Sequence, residues 1–218
     1  MNLLVLLFVL CKLSDGGFHV TTEFLRQCPH LQFLTFLPSA GEPYLGIVHR
    51  LDQPVEGVIV FAKTPRAAAA LSKQAADGTM KKYYLALFCG KPSEDKGTLV
   101  DYLQKDGRSN TSKIVPEGTK EAKRAELRYQ ILKRGETTVL AQIELLTGRH
   151  HQIRVQTAGA GWPLYGDTKY NPQFQQTKEY VQTALCAYKL SFVPPRTKKT
   201  MEFCITPDIS VLNGDILP

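Results

Sequence analysis

The sequence predicts an α+β fold, a mixed, largely antiparallel central sheet with flanking helices. Three observations carry this reading. Short apolar stretches rich in β-branched and aromatic residues outnumber helical ones. Tight turns join most of them, which suits antiparallel neighbours. Only one alanine-rich stretch, residues 66–76, has the composition of a long helix.

In chain order, residues 3–10 are continuously apolar and fit a buried strand or a short helix. They lack a basic start and a small-x-small cleavage site, and a bilayer span needs about 20 apolar residues. Gly16-Gly17 interrupts the apolar start, and Pro38, Gly41 and Pro43 mark a loop, so residues 1–45 form one segment and residues 46–218 a single domain. Residues 58–62 read as a buried strand. Thr64-Pro65 supplies an N-cap and a proline at the first helical position, and Asp77-Gly78 ends the helix. Residues 82–88 read as a strand stopped by Gly90-Lys91-Pro92. Residues 99–115 are expected to be irregular, with short strands. Residues 125–132 and 137–146 pair as a hairpin around Lys133-Arg134-Gly135-Glu136, with Val139, Leu140, Ile143, Leu145 and Leu146 supplying core. A short helix is expected over 151–158, and a last hairpin from 183–193 and 200–205.

With 218 residues, 43% of them hydrophobic, the chain can bury a substantial core. Its 27 Lys+Arg exceed its 20 Asp+Glu, for a net charge of +7. The excess clusters at Lys105, Arg108, Lys113, Lys120, Lys123, Arg124, Arg128, Lys133 and Arg134, and again at Arg196, Lys198 and Lys199. Clustered cations suit a polyanion partner better than scattered ones do. The five cysteines are odd in number and scattered, with no C-x-x-C pair, which argues against a zinc site or disulfide framework and fits a reducing compartment.

The block His49-Arg50-Leu51-Asp52-Gln53-Pro54 places a carboxylate beside an arginine, on an irregular segment just before an apolar strand. Arg50 can keep Asp52 ionised, and an ionised, positioned carboxylate can serve as nucleophile, base or electrostatic stabiliser. Taken alone, an aspartate so placed reads more often as a turn residue bonding its own backbone and bridging to Arg50. Glu56 is its only close acidic neighbour, so paired-carboxylate glycosidic hydrolysis is a second, weaker reading. The block Leu146-Thr147-Gly148-Arg149-His150-His151-Gln152-Ile153-Arg154 leaves a strand and opens a helix, a setting suited to an anion. Adjacent His150 and His151 point apart on a helix, and with His49 they make a poor metal set. In Lys82-Tyr83-Tyr84-Leu85-Ala86-Leu87 the two tyrosines face opposite sides of a strand, so one can pack while the other reaches a site.

In this order the blocks resemble the RluA-type pseudouridine synthases. That family carries H-R-L-D, glycine, an apolar strand and A-K-T, then K-x-Y-x-A-L, T-G-R-x-H-Q-I-R and P-L-x-G-D. This chain has His49-Arg50-Leu51-Asp52, Gly57, Ala62-Lys63-Thr64, the Lys82–Leu87 and Thr147–Arg154 blocks above, and Pro163-Leu164-Tyr165-Gly166-Asp167. Ala184-Leu185-Cys186-Ala187-Tyr188-Lys189-Leu190-Ser191-Phe192 is similar to the family's closing strand. The resemblance implies the pseudouridine synthase fold, with residues 46–218 as catalytic domain, and isomerisation of an RNA uridine in rRNA or tRNA. It assigns catalysis to Asp52, with Tyr84 under the uracil and Arg149 pairing with Asp52. Arg50 would fill the gap left by the flipped base, and His49, Arg154 and Lys82 would join it in contacting RNA. The implied enzyme is a cytoplasmic monomer that needs no metal or organic cofactor and no membrane.

Two departures stand out. Val55-Glu56 replaces the family's Thr-Ser, and residues 1–45 show no K-P-x-G segment, so they read as a divergent or incomplete N-terminal segment. Without the strands that accompany K-P-x-G, one edge of the central sheet is expected to be uncovered. A catalytically impaired RNA-binding protein of the same fold is the alternative function.

Overall fold

A computed structural model describes residues 5–10, 44, 46–52, 55–177 and 181–207, with backbone alone for 5–10. The elements are β1 (Val5–Leu10), β2 (Gly46–Ile47), β3 (Glu56–Ala62), α1 (Pro65–Asp77), β4 (Lys81–Cys89), β5 (Lys96–Asp106) and β6 (Thr111–Val115). They continue with β7 (Lys123–Arg134), β8 (Thr138–Leu145), α2 (Gln152–Gly159), β9 (Leu185–Phe192) and β10 (Met201–Cys204). The strands form one sheet in the order β1-β3-β9-β4-β8-β7-β5-β6, with β2 beside β3 and β10 beside β9. Among the described residues β3–β9 is parallel and the other pairs are antiparallel, as the α+β reading requires.

Helix α1 begins as its sequence dictates. The Thr64 hydroxyl accepts from the Ala67 N–H at 3.2 Å, Pro65 sits in the first turn, and Gly78 ends the helix at φ 79°. Its Ala67 and Leu71 pack on Val58, Val60 and Ala62 of β3 and on Leu190 and Phe192 of β9. A second core joins Tyr84, Ala86 and Phe88 of β4 to Ala141 and Ile143 of β8 and to Ile153 of α2.

Residues 99–115 are regular, contrary to expectation. They belong to the 11-residue strand β5 and its hairpin partner β6. Most β5 side chains are at least partly exposed, so the stretch lacks the apolar alternation that betrays a half-buried strand. The uncovered edge is not found either: β1 runs antiparallel to β3, from Val5 opposite Ala62 to Leu10 opposite Gly57. Residues 5–10 of the apolar start thus supply a strand, and main-chain pairing needs no K-P-x-G signature.

Gly57 is where β3 meets β9. It pairs with Ala187 at φ 145°, and an added Cβ would lie 2.5 Å from both the Ala187 Cβ and its carbonyl oxygen. Gly57→Ala is therefore expected to cost about 3 kcal/mol through backbone strain and overpacking, read as a lower midpoint in urea unfolding.

Candidate active site

Between α1 and α2, over β4 and the end of β8, opens a cleft of about 460 Å³. Its walls include His49, Arg50 and Asp52, Ser72 and Ala76 of α1, Lys82 and Tyr84 of β4, the 145–150 turn, and Gln152 and Ile153 of α2. Segments nearly a hundred residues apart in sequence thus converge on one hollow.

Asp52 lies partly buried in this cleft. Burial pushes its carboxyl above the ordinary carboxylate range, while Arg154, then Arg50, then a hydrogen bond from the His151 backbone N–H pull it back. The guanidinium acting most strongly on Asp52 is therefore that of Arg154. Arg149 lines the same cleft, but its Nε donates to the Arg124 carbonyl at 2.8 Å. The expected Arg149–Asp52 pair is thus not what bears most on the carboxylate here: Arg149 is bonded to the Arg124 carbonyl, while Arg154, turned inward by the helix start, exerts the stronger pull.

Arg154 is 2% exposed and Asp167 0%. Arg154 Nε donates to Asp167 Oδ2 at 2.7 Å and Nη2 to Oδ1 at 2.6 Å, a bidentate pair. A side chain so enclosed cannot lie on an RNA backbone, so the expected RNA contact for Arg154 is corrected to a buried charge facing Asp52.

Tyr84 is 7% exposed, and burial, with the Asp52 charge second, drives its hydroxyl well above the normal range, so it stays protonated. Tyr83 lines a separate hollow with Arg128 and Tyr129, as alternation along β4 requires. His49 is pushed down to about 4 by burial and then by Lys82. It is therefore neutral at physiological pH, and its Nε2 accepts from the Val60 N–H at 3.3 Å, which ties the Asp52 segment to β3. Lys82 lies in the cleft wall, with burial and Arg149 lowering its pKa. Arg50 is exposed at the rim. Glu56 is buried on β3 opposite Cys186 and is not among the residues that line the cleft with Asp52, which counts against the paired-carboxylate reading.

Gln152 fixes the turn ahead of α2, a role the sequence did not single out. Its Oε1 accepts from the Thr147 hydroxyl at 2.8 Å and the Arg149 N–H at 2.9 Å, and its Nε2 donates to the Glu126 carbonyl at 3.0 Å. The Thr147 hydroxyl also accepts from the Glu126 N–H. A glutamine and a threonine at that spacing are thus the signal of a locked turn. Beyond it a hollow of about 410 Å³ continues past Gly148, Arg149 and His150 to Lys105 and Lys123.

A family model described as RNA pseudouridylate synthase matches residues 8–159. The chain belongs to the RNA pseudouridylate synthase family. An uncharacterized RNA pseudouridine synthase of Mycoplasma pneumoniae is 37% identical over 157 residues, 72% of this chain and 50% of the relative. The ribosomal large subunit pseudouridine synthase C of Pasteurella multocida is 33% identical over 172 residues, covering 77% and 52%. The ribosomal large subunit pseudouridine synthase D of Nitrosomonas europaea is 38% identical over 159 residues, covering 72% and 43%. The chain thus spans about half the length of these curated relatives. The solved structure of human RNA pseudouridylate synthase domain containing 1 aligns with a TM-score of 0.66 at 25% identity, over 79% of this chain and 74% of that one. These relatives make the chain an RluA-type member, in agreement with its motifs. No helix among the described residues of this synthase-family chain is long and apolar enough to cross a membrane. No group of three or more His, Cys, Asp or Glu suited to a metal occurs among them either.

Proposed function

We propose that the protein isomerises a specific uridine of rRNA or tRNA to pseudouridine, with Asp52 as the catalytic carboxylate. The observation that carries this reading is a single carboxylate, faced by Arg154 and held by a backbone N–H, in a cleft with a buried, protonated tyrosine. The reaction breaks the N1–C1′ bond, rotates the uracil, joins C5 to C1′, moves the C5 proton away and leaves a proton on N1. Asp52 promotes cleavage by attacking C1′ or by taking the 2′ proton to give a glycal. Tyr84 packs under the freed uracil and offers its hydroxyl for proton movement, while the apolar walls at Leu145 and Ile153 limit water.

A stacked base exposes neither C1′ nor C5 to the protein, so flipping comes first, at a cost of a few kcal/mol. Exposed Arg50 can stack in the gap, and Lys105, Lys123 and Arg149 offer cations along the adjoining hollow for the RNA backbone. Relatives named for the large ribosomal subunit favour rRNA as substrate, and with it a cytoplasmic site of action. The test is a site-resolved pseudouridine map of RNA from cells carrying the parent protein, Asp52→Asn, or neither. One modified uridine should depend on the parent and vanish with the variant. A map identical in all three strains would overturn the reading. Intact Asp52, Tyr84 and Arg154 weigh against the alternative of an RNA-binding protein without catalysis.

A further inference from the structure

We propose that Tyr170 is a positioning residue for Asp52: its hydroxyl fixes the His151 ring, and the His151 backbone N–H in turn holds the Asp52 carboxylate. The proposal rests on the reading of Asp52 as the reacting group, although its geometry stands independently. His151 is the residue ahead of α2, left-handed at φ 53°, ψ 26°, with no side-chain cap bond. A non-glycine residue keeps such a conformation only where its surroundings enforce it.

Here the enforcement comes through the ring. His151 Nδ1 lies 2.7 Å from the Tyr170 hydroxyl, and the ring stacks on His150 with centroids 3.8 Å apart. Burial, then Arg154, push the His151 ring down to about 3, so it is neutral and Nδ1 accepts from the tyrosine O–H. The same hydroxyl oxygen accepts from the Ser112 N–H at 2.8 Å, which ties β6 to the site. His150 repeats that link: its Nδ1 lies 2.9 Å from the Ser112 hydroxyl and its Nε2 3.1 Å from Asn110 Oδ1.

Tyr170 also reaches the other side of Asp52. Its ring lies under the Arg154 guanidinium at 5.2 Å, and its N–H donates to Asp167 Oδ1 at 3.2 Å. The charged and titratable groups facing Asp52 are Arg50 from its own segment, Tyr84 from β4, Arg154 from α2, and Asp167 and Tyr170 beyond α2. Removing the Tyr170 hydroxyl frees the His151 ring and takes away the acceptor of the Ser112 N–H, while the charged side chains around Asp52 keep their own partners. The His151 N–H then holds Asp52 less well, and the carboxyl titrates at higher pH.

The test follows Asp52 by carboxyl carbon NMR in the full chain, for the parent, Tyr170→Phe, His151→Ala and His151→Asn. Asparagine tolerates the left-handed region and offers an oxygen near the Nδ1 position. Tyr170→Phe and His151→Ala should move the Asp52 titration upward, and His151→Asn should restore it. In turnover assays kcat should fall about tenfold with KM for RNA little changed, and the acid limb should move the same way. An Asp52 titration in Tyr170→Phe that overlays the parent's would overturn the proposal. If that variant does not fold, coincident titrations of His151→Ala and His151→Asn would do so. The titration needs no activity, so a parent that makes no pseudouridine would sink the proposed function and leave this inference to be decided separately.

Discussion

Asp167→Asn is expected to lower the stability of the protein by about 3–5 kcal/mol, the cost of breaking a buried ion pair from one side. Both partners are almost fully enclosed, and the pair is bidentate. Asparagine keeps the shape of the side chain but not its charge. One of its two positions becomes an N–H₂ that faces an Arg154 N–H, so a donor meets a donor. Its oxygen can still accept from the Lys169 and Tyr170 N–H groups, so the local turn survives while the pair does not. Urea unfolding measures the loss. Replacing both residues together by apolar ones of similar volume should cost much less, because no charge is then stranded. The Asp167 charge also raises the Asp52 carboxyl, so the surviving folded Asp167→Asn protein should titrate Asp52 at lower pH, opposite to Tyr170→Phe. Loss of stability no larger than that of a surface substitution would show that Arg154 finds another counter-charge, with Asp52 the nearest candidate.

The contrast between Arg149 and Arg154 shows what the sequence could reveal about the site. Both lie in one short motif, and their spacing does not say which faces the carboxylate. That depends on where α2 begins: its start at Gln152 buries Arg154 and leaves Arg149 at the mouth of the cleft. Asp52 and Tyr84 were singled out by the ordered motifs of the family they resemble, because local pattern alone left Asp52 readable as a turn residue and did not say which of Tyr83 and Tyr84 faces the cleft. Tyr170 was not legible, since its partners His151, Ser112 and Arg154 come from three separate segments.

The fold divides in the same way. Helix α1 announced itself through Thr64, Pro65 and Gly78, each acting within a few residues. Strand β5 did not, because its backbone is ordered by pairing with β7 and β6 rather than by an apolar face of its own. His49 follows the same rule: its charge at neutral pH is set by burial and by Lys82, which the flanking residues do not disclose.

Asp52→Asn is expected to reduce pseudouridine formation by on the order of a thousandfold or more, as loss of a reacting group typically does, while making the protein more stable at neutral pH. The second half follows from burial. Asp52 has its folded pKa raised above the ordinary 3.8, so the folded chain holds this proton more tightly than the unfolded one. Its contribution to stability is full below the unfolded value and is lost as pH rises through the folded one. At neutral pH the ionised carboxylate therefore works against folding, and asparagine removes that opposition while Arg154 keeps Asp167 as its partner. Melting curves of parent and variant should separate at pH 7, with the variant higher, and converge below about pH 4, where Asp52 is protonated in both states. The same sign governs activity: turnover by the parent needs the ionised form, so its acid limb should lie above the ordinary carboxylate pKa. A variant that lost activity and also melted lower at pH 7 would mean that the attraction of Arg154 outweighs burial. Asp52 would then be a stabilising partner in the ion-pair network, and the site would not be holding a charge at the expense of the fold.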